Sequence, residues 1–349
     1  MIGDRIFQAR VGAGLSLREL SEKAHGCVSA QMIHKYETGD AQPGSDILVA
    51  LSKALGVRVE FFFRPESFSV HLSPPAYRKS AKTSVKQMEA IRVKAAERVE
   101  KYLELESVFP ENRFQRIGHG LSSGFSVETI EQVENVADDL RKKWALGNGP
   151  IDGLCELLED RGVKVVMVDT EAEIDGLSCW ANEAIPVALV KRDQTGDRLR
   201  FSLAHELGHL LLRIPESINP EKAANRFAGA FLAPQSTVRA ELGSHRSAFS
   251  PFELSTLRVK YGLSVQAWIY RAHDLAIISD SLFRQMFGAL KKQGLFTREI
   301  GKPLPAESPR RFERLVVQAV EEELISSPKG ADLLGISLVD LRKKVQSGT

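Results

Sequence analysis

Cysteine is scarce in this chain: Cys27, Cys155 and Cys179 are the three thiols in 349 residues. An odd number at such wide spacing excludes a disulfide scaffold and a CxxC metal site, and it fits a reducing compartment. Long apolar runs are missing too. Nowhere do about 18 consecutive apolar residues occur, which excludes a membrane-spanning helix. The first ten residues carry charge throughout, which excludes a secretory signal. Net charge is nearly absent, with 47 Lys and Arg against 45 Asp and Glu for a balance of +2. So small a balance implies neither a nucleic-acid nor a membrane partner, and any such partner must be read from a local patch. These absences together predict a cytoplasmic protein with no membrane partner. Internal repeats and low-complexity tracts are absent as well.

What is present is ordinary globular material, 43% hydrophobic and 26% charged, long enough for two or three domains of about 150 residues each. The patterning predicts a mainly α chain with a small β-sheet, of α+β class. Residues 1–64 read as short helices. Ser16 and Glu19 have capping-box spacing, and Leu17, Leu20 and Ala24 follow at helical intervals. Val28-Ser29 leads into a helix over 30–37 that Gly39 stops, and Ser45 is placed to cap a helix bearing Ile47, Leu48, Leu51 and Leu55, ended by Gly56. Residues 65–112 comprise a linker punctuated by Pro65, Pro74 and Pro75 and one long helix. On that helix Val85, Met88, Ile91, Ala95, Val99 and Tyr102 fall three or four apart. Positions 78–101 hold eight basic and three acidic side chains, a bias that reads first as a solvated face and second as support for nucleic-acid binding.

Residues 113–275 open with helices over 127–144 and 151–161. Strand candidates follow at 163–169, 177–180 and 186–191, and after Gly196 the pattern is helical again. Residues 276–349 form a helical C-terminal region with a Pro-rich break at 301–309. Within it, positions 331–344 bear a faint likeness to half a helix-turn-helix, and a small helical cap is the reading adopted.

The sharpest signal is His205-Glu206-Leu207-Gly208-His209. Histidines at i and i+4 stand one above the other on a helix, so both imidazoles can reach one cation. Leu199, Leu203, Leu207, Leu210 and Leu211 give that helix an apolar body, with Pro215 ending it. Asn219-Pro220 then has the form of an N-cap followed by proline in the first helical turn, which places Glu221 at the start of a second rigid helix. Glu216 is nearer in sequence but falls in the connection. Two histidines and a glutamate leave a fourth tetrahedral position for water, the arrangement of a hydrolytic Zn2+ site. Glu206, beside the first ligand, is placed as general base.

The segments 200–212 and 221–234 (Glu-Lys-Ala-Ala-Asn-Arg-Phe-Ala-Gly-Ala-Phe-Leu-Ala-Pro) resemble an ImmA/IrrE-type zinc metallopeptidase over roughly residues 115–275. The resemblance implies a zincin-like fold of gluzincin type, with His205, His209 and Glu221 as metal ligands and Glu206 as the catalytic glutamate. It also implies a DNA-binding repressor as the class of substrate and an activity that can depend on a signal. Asn225 occupies the family's Asn position, and a hydrogen bond tying its helix to the HExxH helix is the role expected of it. For the group that stabilises an oxyanion, His245, Tyr261, Tyr270 and His273 all stay open.

The first 60 residues resemble an Xre-type helix-turn-helix through Arg10, Gly14-Leu-Ser-Leu-Arg-Glu-Leu20, Val28-Ser29, Ile33, Tyr36-Glu37-Thr-Gly39, Pro43 and Leu51-Ser-Lys-Ala-Leu-Gly56. In that fold the second helix of the pair enters the major groove. Ser29, Ala30, Gln31, His34 and Lys35 would then face DNA, with Arg18 on a phosphate, while Leu20, Ala24, Val28, Ile33 and Leu48 form the core. Gln31 can read adenine and Lys35 guanine or phosphate. Positions 1–64 hold eight basic against seven acidic residues, so a lone unit gains little from counterion release, and a homodimer or the basic helix is expected to help.

The leading expectation is a regulator that binds a double-stranded DNA operator. Its zinc peptidase domain would cleave a repressor or antitoxin-like protein, or another copy of itself. A non-catalytic transcription factor with a structural or sensory zinc site is the first rival. An antitoxin-like component that binds a toxin is the second.

Overall fold

The computed structural model describes residues 2–63, 70–73, 83–110, 121, 123–292 and 301–347. The chain opens with α1 (Ile2–Gly12), α2 (Leu17–Lys23), α3 (Ala30–Thr38) and α4 (Ser45–Leu55), followed by a 3-10 turn over Val59–Phe63. The capping box forms as its spacing predicts: the Glu19 N–H donates to Ser16 Oγ at 3.2 Å, and the Ser16 N–H donates to Glu19 Oε2 at 2.6 Å. Gly39 ends α3 in the left-handed region, at φ 82°. Ser45, expected as a cap, is instead the first helical residue, and Gly44 holds the cap position without a side chain to offer. Leu20, Ala24, Val28, Ile33 and Leu48 are all buried, joined by Phe61 and Phe62.

Next comes α5 (Val85–Ser107), whose buried stripe is Ile91, Ala95, Val99, Tyr102 and Leu105. Val85, expected in the stripe, is 88% exposed, because the elements that α5 packs against start about one turn further along. Among the described residues, four of the five basic side chains of this region have partners within the molecule. Lys86 pairs with Glu19 at 2.9 Å and Lys101 with Glu97 at 2.9 Å. Arg92 donates to the Leu72 carbonyl at 2.9 Å, and the Arg98 guanidinium lies 3.9 Å from the Phe312 ring centre. Of the remaining cations Lys94 is exposed, whereas Arg78, Lys79 and Lys82 lie outside the described residues. The helix is therefore a spine between parts of the fold, and the expected basic DNA-supporting face is not formed by its described residues. At one end Arg5 of α1 grips Glu100 with contacts of 2.5 and 2.8 Å.

The centre of the chain runs β1 (Phe125–Ser126), α6 (Gln132–Lys143), α7 (Leu154–Asp160), β2 (Lys164–Val168), β3 (Gly176–Ala181), β4 (Ile185–Lys191), α8 (Gly196–Leu211), β5 (Leu212–Arg213) and α9 (Pro220–Leu232). The three predicted strands form one sheet in the order β2-β4-β3, with β2 parallel and β3 antiparallel to β4. Alternation assigns its faces: Val166, Val168, Leu177, Cys179, Val187 and Leu189 pack toward α5, whereas Val165, Ala188 and Val190 pack toward α8. Two short strands were not anticipated. Phe125 pairs with Leu212 and Ser126 with Arg213, so α6 starts at Gln132 rather than 127, and α8 gives way to strand at Leu212, before Pro215.

Part of the linker also joins the sheet. Leu72 bridges Ala181, the Ser73 N–H donates to the Trp180 carbonyl at 2.8 Å, and the Asn182 N–H donates to the His71 carbonyl at 2.9 Å.

The chain closes with α10 (Gln235–Leu242), α11 (Pro251–Tyr261), α12 (Val265–Asp274), α13 (Asp280–Lys292), α14 (Arg311–Glu321), α15 (Ser327–Leu334) and α16 (Leu338–Ser347). Two buried ion pairs fix the helices around the centre. Arg258 Nε meets Asp197 in the first turn of α8 at 2.8 Å, and Arg271 of α12 binds both oxygens of Glu134 in α6 at 2.6 and 3.0 Å. Removing one partner of such a pair strands a charge in low dielectric, at a cost of about 3–5 kcal/mol. Among the described residues no helix is long and apolar enough to cross a membrane.

Candidate metal centre

Helix α8 buries Leu199, Leu203, Leu207, Leu210 and Leu211, which turns the other flank, with His205 and His209, toward α9. Gly208 makes the approach close: a Cβ there would lie 3.2 Å from Ala224 Cα and 3.1 Å from Phe227 Cδ1. Asn219 caps α9 by accepting the Lys222 N–H at 3.0 Å, with Pro220 in the first turn, and so Glu221 sits at the helix entrance as its local sequence predicts. His205 Nε2 and His209 Nε2 are 3.0 Å apart, and each is 3.4 Å from one oxygen of Glu221. The three ligand atoms lie within 4.8 Å of one another. Two ligand atoms held at tetrahedral zinc distances are about 3.3 Å apart, so the donor set and its spacing fit a zinc ion.

Around this triad the side chains are oriented from behind. Asn225 Oδ1 lies 2.8 Å from His205 Nδ1. With the Nδ1 proton given to the amide oxygen, the Nε2 lone pair points into the cluster. The hydrogen bond expected of Asn225 is therefore formed. Glu206 points toward the sheet, where the Ser178 hydroxyl of β3 donates to its Oε2 at 2.7 Å. Beneath it lies Gly176, where a Cβ would come within 2.8 Å of Glu206 Oε1.

Neither Ser178 nor Gly176 belongs to a recognisable motif. The available signal was the strand's alternation, which places Gly176, Ser178 and Trp180 on one face between the apolar Leu177 and Cys179. The cleft over the triad is lined by Gly176, Ser178, Glu206, His209 and Glu221 from the sheet and helices and by Met88 from α5, with a volume of about 10 Å3, the space of a single water.

None of the four oxyanion candidates lines this cleft. The Tyr261 hydroxyl donates to Glu241 at 2.7 Å, His273 pairs with Asp280 at 2.7 Å, Tyr270 meets Phe283 and Phe287 edge to face, and His245 lines a separate surface cleft with His273.

At the other end of the chain, Arg18, Ser29, Gln31, His34 and Lys35 are all exposed and Ala30 is half-buried. Ser29 also serves the helix itself, since its hydroxyl oxygen accepts the Met32 N–H at 3.2 Å. Arg10 binds both oxygens of Glu37 at 2.6 and 2.8 Å, which locks α3 onto α1 and leaves the Gln31, His34 and Lys35 face outward.

The folds thus define a DNA-binding module joined to a metallopeptidase-like domain. Residues 6–62 match the family model described as helix-turn-helix, and residues 158–273 match that of the IrrE N-terminal-like domain. No curated protein matches the chain. In these two segments the chain is similar to an Xre-like helix-turn-helix and to an IrrE/ImmA-like domain, the latter of a family typically dependent on zinc. The second match starts at 158, so β1 and α6, placed within the resemblance from residue 115, precede it.

Proposed function

We propose that this chain is a DNA-binding regulator that hydrolyses a peptide bond in a repressor or antitoxin-like protein, through zinc held by His205, His209 and Glu221. The observation that carries the reading is the convergence of these three side chains with Glu206 held apart from them. Glu206 sits in the same helical turn, yet Ser178 draws its carboxylate toward the sheet, which suits a base and not a fourth ligand. Zinc bound here would supply a Lewis acid and an acidified water. Glu206 takes the proton from the attacking water and returns it to the leaving amine, with Ser178 keeping the carboxylate in one orientation. Asn225 keeps His205 in the ligating tautomer.

Arg18, Ser29, Ala30, Gln31, His34 and Lys35 contact the operator, and the near-neutral N-terminal segment favours a homodimer on it. The work is cytoplasmic.

A second reading, a zinc site that senses or stiffens without turnover, is favoured by the narrow cleft under Met88. Glu206→Gln separates the two. It retains zinc, fold and DNA binding, and under the peptidase reading it loses about 10²- to 10⁴-fold in rate. Wild type and variant are compared in cells by immunoblot of the partner protein beside a reporter of the operator. Loss of cleavage with retained operator occupancy supports the peptidase. Identical partner levels and identical reporter response in both strains would leave the sensor.

A further inference from the structure

Residues 311–347 form a unit that the proposed function does not use. Helices α14 and α15 share a core with the C-terminal end of α5, through Phe312, Leu315, Val316, Ala319, Leu333 and Tyr102, and α16 buries Leu341 beside them. Gly330 lets α15 wedge between its neighbours, since a Cβ there would lie 2.6 Å from Val320 Cγ2 and 3.2 Å from Leu341 Cδ2. Helix α15 ends at Gly335, in the left-handed region at φ 69°. Gly335-Ile336-Ser337 alone separate it from α16. Ser337 Oγ accepts the Asp340 N–H at 3.1 Å and so opens that helix. Two packed helices joined by a three-residue turn containing glycine have the form of a helix-turn-helix.

The side-chain order of α16 repeats that of α3. A capping serine comes first, Ser29 or Ser337. Four residues on is a fully buried apolar residue, Ile33 at 0% or Leu341 at 1% exposure. Immediately after it comes an exposed pair, His34-Lys35 or Arg342-Lys343. Lys344 is tied to Glu313, whereas among the described residues Arg342 and Lys343 have no acidic partner.

We propose that α14–α16 are a second helix-turn-helix and that α16 is a second contact to duplex DNA. Arg342 and Lys343 neutralise phosphates, and the exposed Leu338 and Val339 lie against base edges such as thymine methyls. The site goes beyond the proposed function, which places DNA contacts in the N-terminal unit alone. It answers the weakness of that unit, whose eight basic and seven acidic residues release few counterions. The two units also touch: Arg58, just after α4, donates to the Ile336 carbonyl at 3.3 Å in the turn before α16 and lies 4.0 Å from Asp332. Leu338 and Val339 by themselves would suit a protein partner, but the adjoining pair of uncommitted cations favours phosphate.

The test uses the full-length protein and a fluorescent duplex carrying the gene's own upstream region, titrated between about 50 and 200 mM salt. The double variant Arg342→Ala/Lys343→Ala removes two exposed side chains and retains the fold, checked by circular dichroism. Its log–log salt slope is expected to shrink by about 2 and its affinity to fall about tenfold or more at the lower salt. In a Gln31→Ala/Lys35→Ala background, the residual salt-sensitive binding is expected to weaken further when both cationic side chains are also removed, leaving the part that Arg18 supplies. Unchanged slope and affinity overturn the proposal. So does a variant that keeps DNA binding but loses self-association or partner capture, which would make α16 a protein-docking helix. Wild-type binding that depends on Gln31 and Lys35 alone leaves the proposed function standing and overturns this site. A wild type that binds no duplex overturns both.

Discussion

The two candidate sites of this molecule hold their side chains in opposite ways. At the metal cleft, His205 and Glu206 are 5% and 6% exposed, and each is held by a second residue at its back, Asn225 and Ser178. On the helix-turn-helix, Gln31, His34 and Lys35 stand in solvent, and the fold fixes only the helix that carries them. The contrast fits the chemistry proposed for each. Hydrolysis requires donor atoms held within fractions of an ångström, which only burial and hydrogen bonding provide. Groove reading requires side chains that project and adjust, so rigidity is confined to the backbone beneath, through pairs such as Arg10–Glu37.

The largest effects are therefore expected at the cleft. Wild type should carry about one zinc per chain by elemental analysis, and His205→Ala or Glu221→Ala should carry none. Asn225→Ala retains all three ligands but loses the bond that fixes the His205 ring, and its zinc affinity should fall about 10- to 100-fold. A chelator competition measures this. Equal affinity in Asn225→Ala and wild type would mean that the rear support is unnecessary, and the contrast with the solvent-facing helix would weaken.

Gly176→Ala comes next. The added methyl would lie 2.8 Å from Glu206 Oε1, 2.9 Å from its Cγ and 3.1 Å from the Leu189 carbonyl oxygen. Because Leu189 belongs to the sheet backbone, the carboxylate is what must move. The expected result is full zinc content with cleavage reduced toward the level of Glu206→Gln. Retained cleavage would show that Glu206 tolerates displacement.

On the exposed helix the effects are smaller and divide by type. Gln31→Ala/Lys35→Ala should remove the preference for the gene's upstream region over random duplex, without a change in thermal stability, because neither side chain is packed. Arg18→Ala should weaken binding to every sequence and reduce the salt slope by about 1. A shift assay over a salt series measures both, and sequence-dependent loss in Arg18→Ala would reassign that residue from phosphate to base.

The same contrast explains what was legible in the sequence. His205, His209 and Glu221 could be brought together because each lies near a helix landmark, an i, i+4 spacing or an Asn-Pro start, and such landmarks are local. The three-stranded sheet was legible from β-branched content, and the first core from helical periodicity. Partnerships across the chain were not. Ser178 reaches Glu206 across 28 positions, and Leu72 pairs with Ala181 from within a stretch that local composition marks as linker. Strands β1 and β5 have two residues each, too few for alternation to show. The fate of the α5 cations was equally hidden, because Arg92 finds its partner in Leu72, 20 positions earlier, and Arg98 in Phe312, near the other end of the chain.

The smallest predicted effect lies where the exposed unit meets α5. The Ser16 backbone N–H, then the Lys86 ammonium, hold the Glu19 carboxyl down to about 2, against an ordinary 4.5. A depressed carboxyl contributes stability that is present above its ordinary value and lost as pH falls through the folded one. The window is thus from about 4.5 down to about 2. Both partners are exposed, so salt screens the pair and the effect on thermal midpoint at neutral pH should be small. A sharper readout is the Ser16 amide proton, which should shift with a midpoint near 2 in wild type and should not titrate in Glu19→Gln, where the side-chain oxygen can still accept but carries no charge. Lys86→Ala should raise the midpoint only part of the way, because the backbone bond is the larger cause and stays in place. A wild-type midpoint at the ordinary carboxylate value would mean that the capping box and its tie to α5 are not held in solution, and that the exposed unit is looser on the spine than its contacts indicate.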